Sequence, residues 1–290
     1  MEETQEQSIA LQVSAILVGH NQAAALRRAI EALERSADRE RLEILVVDCG
    51  SQDESARLDE DYPGITIMRL PHHFGATKAM NVATRTAKGE YLFYLSPDVE
   101  VAPDTVKRLA AHLDEETDVT AACPLLVDPE GRPVSKVWKI PTREMLAAFC
   151  RGEEPPSEPI DTSAEHIAVE YPGLTALLIR KQFIGSMNYF DGRYGHYWAD
   201  ADLAMQMRRA QKRIRLYPGI RAVWHQVGDP WAGVPAFAAD RVLGAAAFLG
   251  RYQGFGASLS FRLSAILSAL VHFRFGEFGA LVSGQKVDGN

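Results

Sequence analysis

Polar and acidic side chains stand directly after short apolar runs at three places in this chain. They are His20-Asn21, Asp48-Cys49-Gly50-Ser51 and Ser96-Pro97-Asp98. Carboxylate oxygens bind hard divalent cations, and a positioned carboxylate can take a proton from a hydroxyl group. If the fold brings these residues together, they could hold a phosphate ester through a cation and activate a nucleophile.

The mainly apolar runs before these residues have the pattern of buried strands. They are Val13–Val18, Leu42–Val47 and Tyr91–Leu95, and Ile65–Leu70 is a further run of this kind. Apolar residues at helical spacing lie between them: Leu26, Ile30 and Leu33 follow Asn21, which we expect to cap that helix, and Thr77–Ala87 is a second predicted helix. Strands alternating with helices predict an α/β domain with a mainly parallel, Rossmann-like sheet flanked by helices. Ligands of such sheets bind beyond the carboxyl ends of the strands.

The composition limits the classes of function. The chain has 290 residues and a formal net charge of -7 at pH 7, which argues against a protein that coats nucleic acid. Its three cysteines, Cys49, Cys123 and Cys150, form no CxxC pair, so we expect neither disulfides nor a zinc cluster. The polar N-terminus and the lack of an apolar run of about 20 residues predict a cytoplasmic protein, at most peripheral on the inner face of a membrane.

Several common signatures are missing. No GxGxxG follows the first strand, and the chain contains no GxxxxGK[ST] or GxSxG. These absences weaken the dehydrogenase, ATPase and hydrolase interpretations.

Instead, an ordered series of motifs resembles the family 2 glycosyltransferases, which have the GT-A fold. The resemblance covers roughly Val13 to Val227. Val46 to Asp53 is similar to that family's Val-Asp-Asn-Gly-Ser-Thr-Asp segment. The other segments that carry the resemblance are Ile16 to Asn21, Gly75 to Asn81, Gly89 to Asp98, Phe190-Asp191, Tyr197 to Leu203 and Val223 to His225.

The resemblance implies a role for each motif on the donor side. The implied nucleotide-binding residues are His20, Asn21, Asp48, Ser51, Asn81 and Ser96. Asp98 would be the main ligand of a Mg²⁺ or Mn²⁺ ion, with His225 as the second ligand. A buried histidine with an ordinary partner is the alternative for His225. Glu100 is a further candidate oxygen ligand, and we expect His72 and His73 to lie in a solvated loop.

On the acceptor side the resemblance implies Asp191, Trp198 and Asp202, with Asp200 as the general base. Two positions depart from the family pattern. Ser96 replaces the first acid of the Asp-x-Asp motif, and Ala199 replaces the Glu that usually precedes the base. The assignment could therefore move from Asp200 to Asp202, although Asp202 could equally cap the helix that follows.

The implied activity is inverting transfer of a hexosyl group from a nucleotide diphosphate sugar. Similarity to rhamnosyltransferase-like members makes dTDP-rhamnose the first expected donor and a UDP-sugar the second. The expected acceptor is a saccharide or a lipid-linked precursor in cell-surface polysaccharide synthesis. Two other hypotheses remain open. One is a catalytically inactive GT-A-like module, suggested by Ser96 and Ala199, and the other is a sugar nucleotidyltransferase.

We expect residues 1–230 to form the catalytic domain, with a nucleotide-binding half over about 1–125 and an acceptor half over about 126–230. Residues 231–290 would form a C-terminal helical extension. Its predicted helices are Ala236–Tyr252 and Leu259–Phe275, and the second has an apolar stripe. That stripe could lie on a membrane or pack against the catalytic domain.

Overall fold

The computed structural model of the protein describes residues 12–228, 234–284 and 287. Its strands are β1 Val13–Gly19, β2 Leu42–Cys49, β3 Thr66–Leu70, β4 Tyr91–Leu95, β5 Val99–Val101, β6 Val119–Val127, β7 Ile167–Val169, β8 Ala176–Arg180 and β9 Arg213–Trp224. Its helices are α1 Ala23–Glu34, α2 Leu58–Asp61, α3 Ala76–Thr86, α4 Thr105–Glu115, α5 Arg143–Cys150, α6 Lys181–Ser186, α7 Ala199–Arg209, α8 Pro235–Gln253, α9 Phe255–Val271 and α10 Phe275–Ser283.

The strands form one mixed sheet. Its order is β3-β2-β1-β4-β8-β6-β9-β5, with β7 beside β9. The first four strands are parallel to their neighbours, whereas β4 and β8 pair antiparallel. The α/β fold class predicted from the alternating pattern is confirmed, and the antiparallel pairs are confined to the half of the sheet that begins at β8.

The central strands are buried on both faces. In β2, Leu45 and Val47 pack into one hydrophobic cluster, and Ile44 and Val46 pack into another on the opposite face. Helices cover both faces of a sheet of this kind, so its central strands are mostly apolar and show no alternation. This burial makes the sheet a rigid platform for the loops at its carboxyl edge.

The second half of the chain differs most from the expectations. The sequence also predicts extended segments at Ile214–Tyr217 and Ala222–Trp224, and in the structure these form one strand, β9, with a shift of pairing register near Pro124 and Leu125 on β6. A further strand that the sequence predicts over Tyr171–Ile179 begins only at Ala176, and Tyr171 instead makes an isolated bridge with Trp138.

The C-terminal helical region is present and consists of α8, α9 and α10. The single helix expected over Leu259–Phe275 is broken, because Phe273 adopts a left-handed backbone with φ 55°. Among the described residues, no helix is both long enough and apolar enough to cross a membrane.

Candidate active site

Side chains of the loops that follow β1 and β2 bond to one another. The Asn21 backbone N–H donates to the Ser51 hydroxyl at 2.9 Å, and the Gln52 N–H donates to the Asn21 side-chain oxygen at 2.7 Å. Asn21 has a positive φ of 49°, which asparagine tolerates better than most residues. The residue expected to cap α1 therefore ties two loops together instead, and neither Asn21 nor Ser51 lines the cavities described below.

Asp48 lies at the end of β2, opposite Gly19 of β1 in the strand register. Its side chain is buried, and Oδ2 accepts a bond from the Ser51 backbone N–H at 3.2 Å. Its Oδ1 is also buried but has no hydrogen-bond partner. A buried carboxylate oxygen without a donor is costly, so this atom is suited to accept a bond from a ligand. Asp48 itself lines neither of the cavities described below, but the next residue, Cys49, lines the smaller one.

Asp98 lies in the turn between β4 and β5 and is buried. The Ser96 hydroxyl donates to Oδ1 at 2.6 Å, while Trp224 Nε1 and the Val227 N–H donate to Oδ2 at 2.9 and 3.0 Å. These bonds fix the orientation of the carboxylate. Ser96 therefore supports Asp98, and because it also lines the cavity beside Asp98, its contact with the nucleotide stays a prediction.

The ring of His225 does not line the cavity beside Asp98. Its backbone N–H donates to the Asp98 carbonyl at 2.9 Å, but its Nε2 lies 3.3 Å from Glu100. This is the geometry of the alternative interpretation, a histidine with an ordinary partner. No group of three or more His, Cys, Asp or Glu side chains able to hold a metal ion exists within the described part of the chain.

Two adjoining cavities lie at this edge of the sheet. One, of about 290 Å³, is lined by His20, Cys49, Ser96 and Asp98, among others. The other, of about 550 Å³, is lined by residues that include Tyr171 and Asp200. The two share three lining residues: Ala76, His196 and Trp224. Asp98 and Asp200 therefore belong to one cleft.

Asp200 stands in the first turn of α7 with its carboxylate fixed by two donors. The Tyr171 hydroxyl donates to Oδ2 at 2.9 Å, and the Ala201 N–H donates to Oδ1 at 2.8 Å. Burial raises the pKa of Asp200 above its ordinary value, although both bonds act in the opposite direction. A raised pKa makes this carboxylate a stronger base than an exposed aspartate.

Trp198 begins α7 with a strained backbone. Its φ is 77°, in the left-handed region that bulky residues seldom adopt. The indole Nε1 donates to the Arg241 carbonyl of α8 at 2.7 Å, and the ring lines the larger cavity. The bond to α8 offsets the strain, and the next two residues, Ala199 and Asp200, also line the larger cavity.

Asp202 and Asp191 face α8 rather than the cleft. Asp202 is buried and accepts bonds from Tyr194, Arg251 and Tyr252 at 2.6 to 3.1 Å. Arg251 also pairs with Asp191 at 3.2 Å. These two carboxylates pair with an α8 arginine and do not line the cavities, whereas Asp200 lines the larger one, so the geometry favours Asp200 over Asp202 as the candidate base. The acceptor-side roles of Asp191 and Asp202 stay predictions.

The side chain of Asn81 bonds to the backbone of Phe190. Its Nδ2 donates to the Phe190 carbonyl at 2.8 Å, and its Oδ1 accepts from the Phe190 N–H at 3.0 Å. Both amide atoms are thereby used to hold the segment before α7 against α3, which differs from the nucleotide contact expected of Asn81. Gly75 allows the same close approach, because a Cβ there would lie 2.7 Å from the Gly195 carbonyl oxygen.

His73 is not a solvated loop residue. Its Nε2 lies 3.0 Å from Nδ1 of His196, and its ring stacks on Phe237 with centroids 5.4 Å apart. Burial, together with the neighbouring His196 and His20, lowers the pKa of His73 to about 3. The side chain is therefore a neutral part of the cleft wall, whereas the expectation of a solvated loop holds only for the exposed His72.

The comparison with family models decides the family. The model for glycosyl transferase family 2 matches residues 14–177, which is more than half of the chain. The protein belongs to glycosyl transferase family 2. A comparison with curated protein sequences gives no match.

Solved structures with the same fold are also found for this family 2 member. One is S. aureus TarS 1-349 in complex with UDP-GlcNAc, with 17% identity and a TM-score of 0.58 over 94% of this chain and 82% of that one. The same TarS fragment with UDP gives 19% identity and a TM-score of 0.57, again over 94% of this chain, and 81% of that one.

A third structure is GalNAc-T7 with UDP, GalNAc and Mn²⁺, with 18% identity and a TM-score of 0.56. The match covers 76% of this chain but only 44% of GalNAc-T7, so the chain spans less than half of that relative. At these identities the three structures establish the shared GT-A fold of the family 2 member.

Sequence reasoning missed two cleft residues of the family 2 domain. Tyr171 was expected to be an ordinary strand residue, and its bond to Asp200 joins positions 29 residues apart. Trp224 was expected only as part of a motif, yet its indole fixes Asp98. A buried Tyr or Trp usually needs a hydrogen-bond partner for its O–H or N–H group. The residue type was the one signal in the sequence for these two contacts.

Proposed function

We propose that this protein transfers a hexosyl group, with inversion, from a nucleotide diphosphate sugar to an acceptor hydroxyl. The observation that carries the proposal is the single cleft that contains both Asp98 and Asp200. Family membership supports glycosyl transfer as the reaction class. Asp98 would lie beside the diphosphate of the donor, where it could hold a cation. Asp200 would lie beside the acceptor hydroxyl, where it could take the proton.

The reaction follows from these positions. The acceptor oxygen attacks the anomeric carbon as the bond from that carbon to the phosphate oxygen breaks, so one displacement inverts the configuration. Asp200 takes the acceptor's proton, and its raised pKa strengthens it as a base. Such a base contributes about 10² to 10⁴-fold in rate. The cleft contributes further by holding the two reactants in contact.

We propose Asp98 as the residue that would hold a Mg²⁺ or Mn²⁺ ion. Its fixed, buried carboxylate fits this role because Mg²⁺ usually binds through one or two carboxylates, with substrate phosphates and water as the other ligands. The ion would supply positive charge beside the leaving diphosphate. His225, the second ligand implied by the resemblance, stays a prediction; in this structure its Nε2 lies 3.3 Å from Glu100.

For the nucleotide we propose the end of β2, where Oδ1 of Asp48 would accept a bond from the base. His20 would complete this side of the cleft, its ring being held 2.9 Å from the Cys49 carbonyl oxygen. A UDP-sugar is the first donor to test, because the similar structures contain UDP or UDP-GlcNAc. dTDP-rhamnose, the donor that the resemblance to rhamnosyltransferase-like members makes the first expected, is the second to test.

For the acceptor we propose a saccharide, free or linked to a lipid carrier, in cell-surface polysaccharide synthesis at the cytoplasmic side of a membrane. The larger cavity is lined by aromatic side chains, including Trp138, Phe149 and Trp198. Aromatic faces can pack against the apolar faces of sugar rings. We also propose that residues 1–230 act as the catalytic domain and that residues 231–290 extend it.

The decisive experiment measures nucleotide release from UDP-sugars and dTDP-rhamnose, with Mn²⁺ and simple saccharide acceptors, for the wild type and Asp200→Asn. We expect the wild type to release nucleotide in an acceptor-dependent manner and the variant to lose most of this turnover while still binding donor. A wild type that binds nucleotide but never releases it from a sugar donor would contradict the proposal and favour an inactive module.

A further inference from the structure

Exposed apolar side chains are concentrated on the last two helices. The described residues include twelve large hydrophobic residues that are exposed, and nine of them lie on or between α9 and α10. We call these nine the α9–α10 face: Phe255, Leu259, Leu263, Leu267, Leu270, Val271, Phe273, Phe275 and Val282. A soluble protein seldom exposes so large a contiguous apolar surface unless something covers it.

α9 has the composition of a covered helix. Its only charged residue is Arg262, yet only Phe261 and Ala269 are buried, and Leu267 is 61% exposed. A helix with little polar surface is normally buried in a core or in a membrane. Since neither α9 nor α10 can cross a bilayer, a membrane would have to receive them in its interfacial plane.

Two of the four serine hydroxyl groups on α9 donate hydrogen bonds within the helix. Ser260 donates to the Ala257 carbonyl at 3.1 Å, and Ser264 donates to the Phe261 carbonyl at 2.7 Å. These serines therefore enter an apolar medium at little cost, because their donors remain paired. They also offer few free polar groups to the hydrogen bonds that a protein–protein interface usually contains.

The charge of this segment differs from that of the whole chain. Between residues 254 and 284 the only acid is Glu277, which is 9% exposed and paired with Arg274. The basic residues there are Arg262 and Arg274, whereas the chain as a whole has a net charge of -7. A surface without exposed acid, on an acidic protein, suits an anionic partner.

We propose that the α9–α10 face docks on the surface of a bilayer that contains anionic lipid. The inference rests on the lipid-linked acceptor of the proposed function and specifies how the protein reaches it. α5 connects the face to the cleft, because Arg143 at its start bonds Ser260 of α9 at 2.8 Å and Phe149 near its end lines the larger cavity. Docking there would bring a membrane-bound acceptor close to Asp200.

The test is sedimentation of the full-length protein with vesicles of phosphatidylcholine alone or mixed with phosphatidylglycerol. We expect the wild type to bind both, and about fivefold more strongly when phosphatidylglycerol is present. The double variant Leu263→Glu/Leu267→Glu should lower vesicle partitioning roughly a hundredfold, because both side chains would otherwise enter the bilayer. Val82→Glu, on the exposed side of α3, is the matched control and should bind as the wild type does.

Two results would overturn the inference: a wild type that stays in solution with both vesicles, or a double variant that still pellets. Light scattering tests whether a second copy of the chain covers the face instead. If the wild type forms a dimer and binds no vesicles, and the double variant is a monomer, the face is a dimer interface.

The vesicle assay needs no donor, so it is independent of the proposed reaction. Vesicle binding without any sugar transfer would contradict the proposed function and leave the docking surface supported. Transfer to a soluble saccharide without vesicle binding would support the proposed function and contradict the docking surface. Unchanged melting temperatures of the variants would show that they remain folded.

Discussion

The Tyr171 hydroxyl lies 2.9 Å from Oδ2 of Asp200 and donates a hydrogen bond to it, although the two residues belong to different segments of the fold. Burial raises the pKa of Tyr171 well above its ordinary value, with further increases from the charge of Asp200 and from its bond to that carboxylate. The phenol therefore remains a donor throughout the useful pH range. Through this bond Tyr171 orients the carboxylate of Asp200, the proposed general base.

The first prediction concerns Tyr171→Phe. Removing the hydroxyl removes a bond that lowers the pKa of Asp200, so this pKa should rise further. Turnover, which requires the ionised base, should fall about tenfold at acidic pH and recover as the pH rises. The measurement is a pH profile of kcat, with the KM for the donor expected to be unchanged. An equal loss at every pH would indicate a purely structural role for Tyr171.

The second prediction concerns stability and pH at Asp200. The ordinary pKa is 3.8 and burial raises the folded value, so the folded protein binds this proton more tightly than the unfolded chain does. The resulting stabilisation is present below the ordinary pKa and is lost as the pH rises through the folded pKa. Asp200→Asn avoids the buried charge, so it should melt at a higher temperature than the wild type at neutral pH.

At a pH low enough to protonate Asp200 in both states, the difference in melting temperature between wild type and Asp200→Asn should shrink. Thermal unfolding followed by circular dichroism at several pH values provides the measurement. A variant that is less stable than the wild type at neutral pH would contradict the prediction.

The third prediction concerns nucleotide binding at Asp48. Oδ2 is held by the Ser51 N–H, whereas the buried Oδ1 has no partner. In Asp48→Asn the amide oxygen should keep the Ser51 bond, leaving an N–H₂ donor where the nucleotide base needs an acceptor. We expect the affinity for UDP, measured by calorimetry, to fall about tenfold or more. Asp59→Asn, whose carboxylate pairs with Arg69 at the surface, is the control and should bind UDP normally.

The fourth prediction concerns the metal ion. Asp98→Asn preserves the size of the side chain and an oxygen for the Trp224 and Val227 donors, but it removes the charge. The increase in UDP affinity that Mn²⁺ produces in the wild type should therefore disappear in calorimetry. Glu100→Gln serves as the control because Glu100 contacts His225 outside the cleft. Full metal dependence in Asp98→Asn, or its loss in Glu100→Gln, would reassign the ligand.

The fifth prediction concerns the attachment of α8. Arg251→Leu would leave the buried Asp202 without its cation, which we expect to cost about 3 kcal/mol in the free energy of unfolding. The double variant Arg251→Leu/Asp202→Asn should recover part of this loss, because the unpaired charge is gone. Denaturant unfolding measures both. Equal instability of the single and double variants would show that packing, and not the ion pair, holds α8.

Much of the nucleotide-side architecture could be predicted from the sequence. The runs Leu42–Val47 and Tyr91–Leu95 are apolar except for Glu43, and the structure contains strands over both. Local composition is sufficient there because a strand buried on both faces shows its burial in nearly every residue. The positions of Asp48 and Asp98 at strand ends follow from the same pattern.

The acceptor side could not be predicted in the same way. Asp200 and Asp202 are two residues apart on one helix, and nothing in their spacing tells which faces the cleft. The difference arises because Arg251 of α8 captures Asp202 while Tyr171 bonds Asp200. Both partners are distant in sequence, so their pairing depends on how α7 packs.

By itself, then, the sequence determined the α/β class, the strand ends that carry the acidic residues, and the family, since these depend on neighbouring residues and ordered motifs. Only the tertiary structure decided which carboxylates share a cleft, that His225 pairs with Glu100 and that Asn81 holds Phe190. The physical reason is that hydrogen-bond partners and burial are set by contacts between distant segments, which no local pattern of residues encodes.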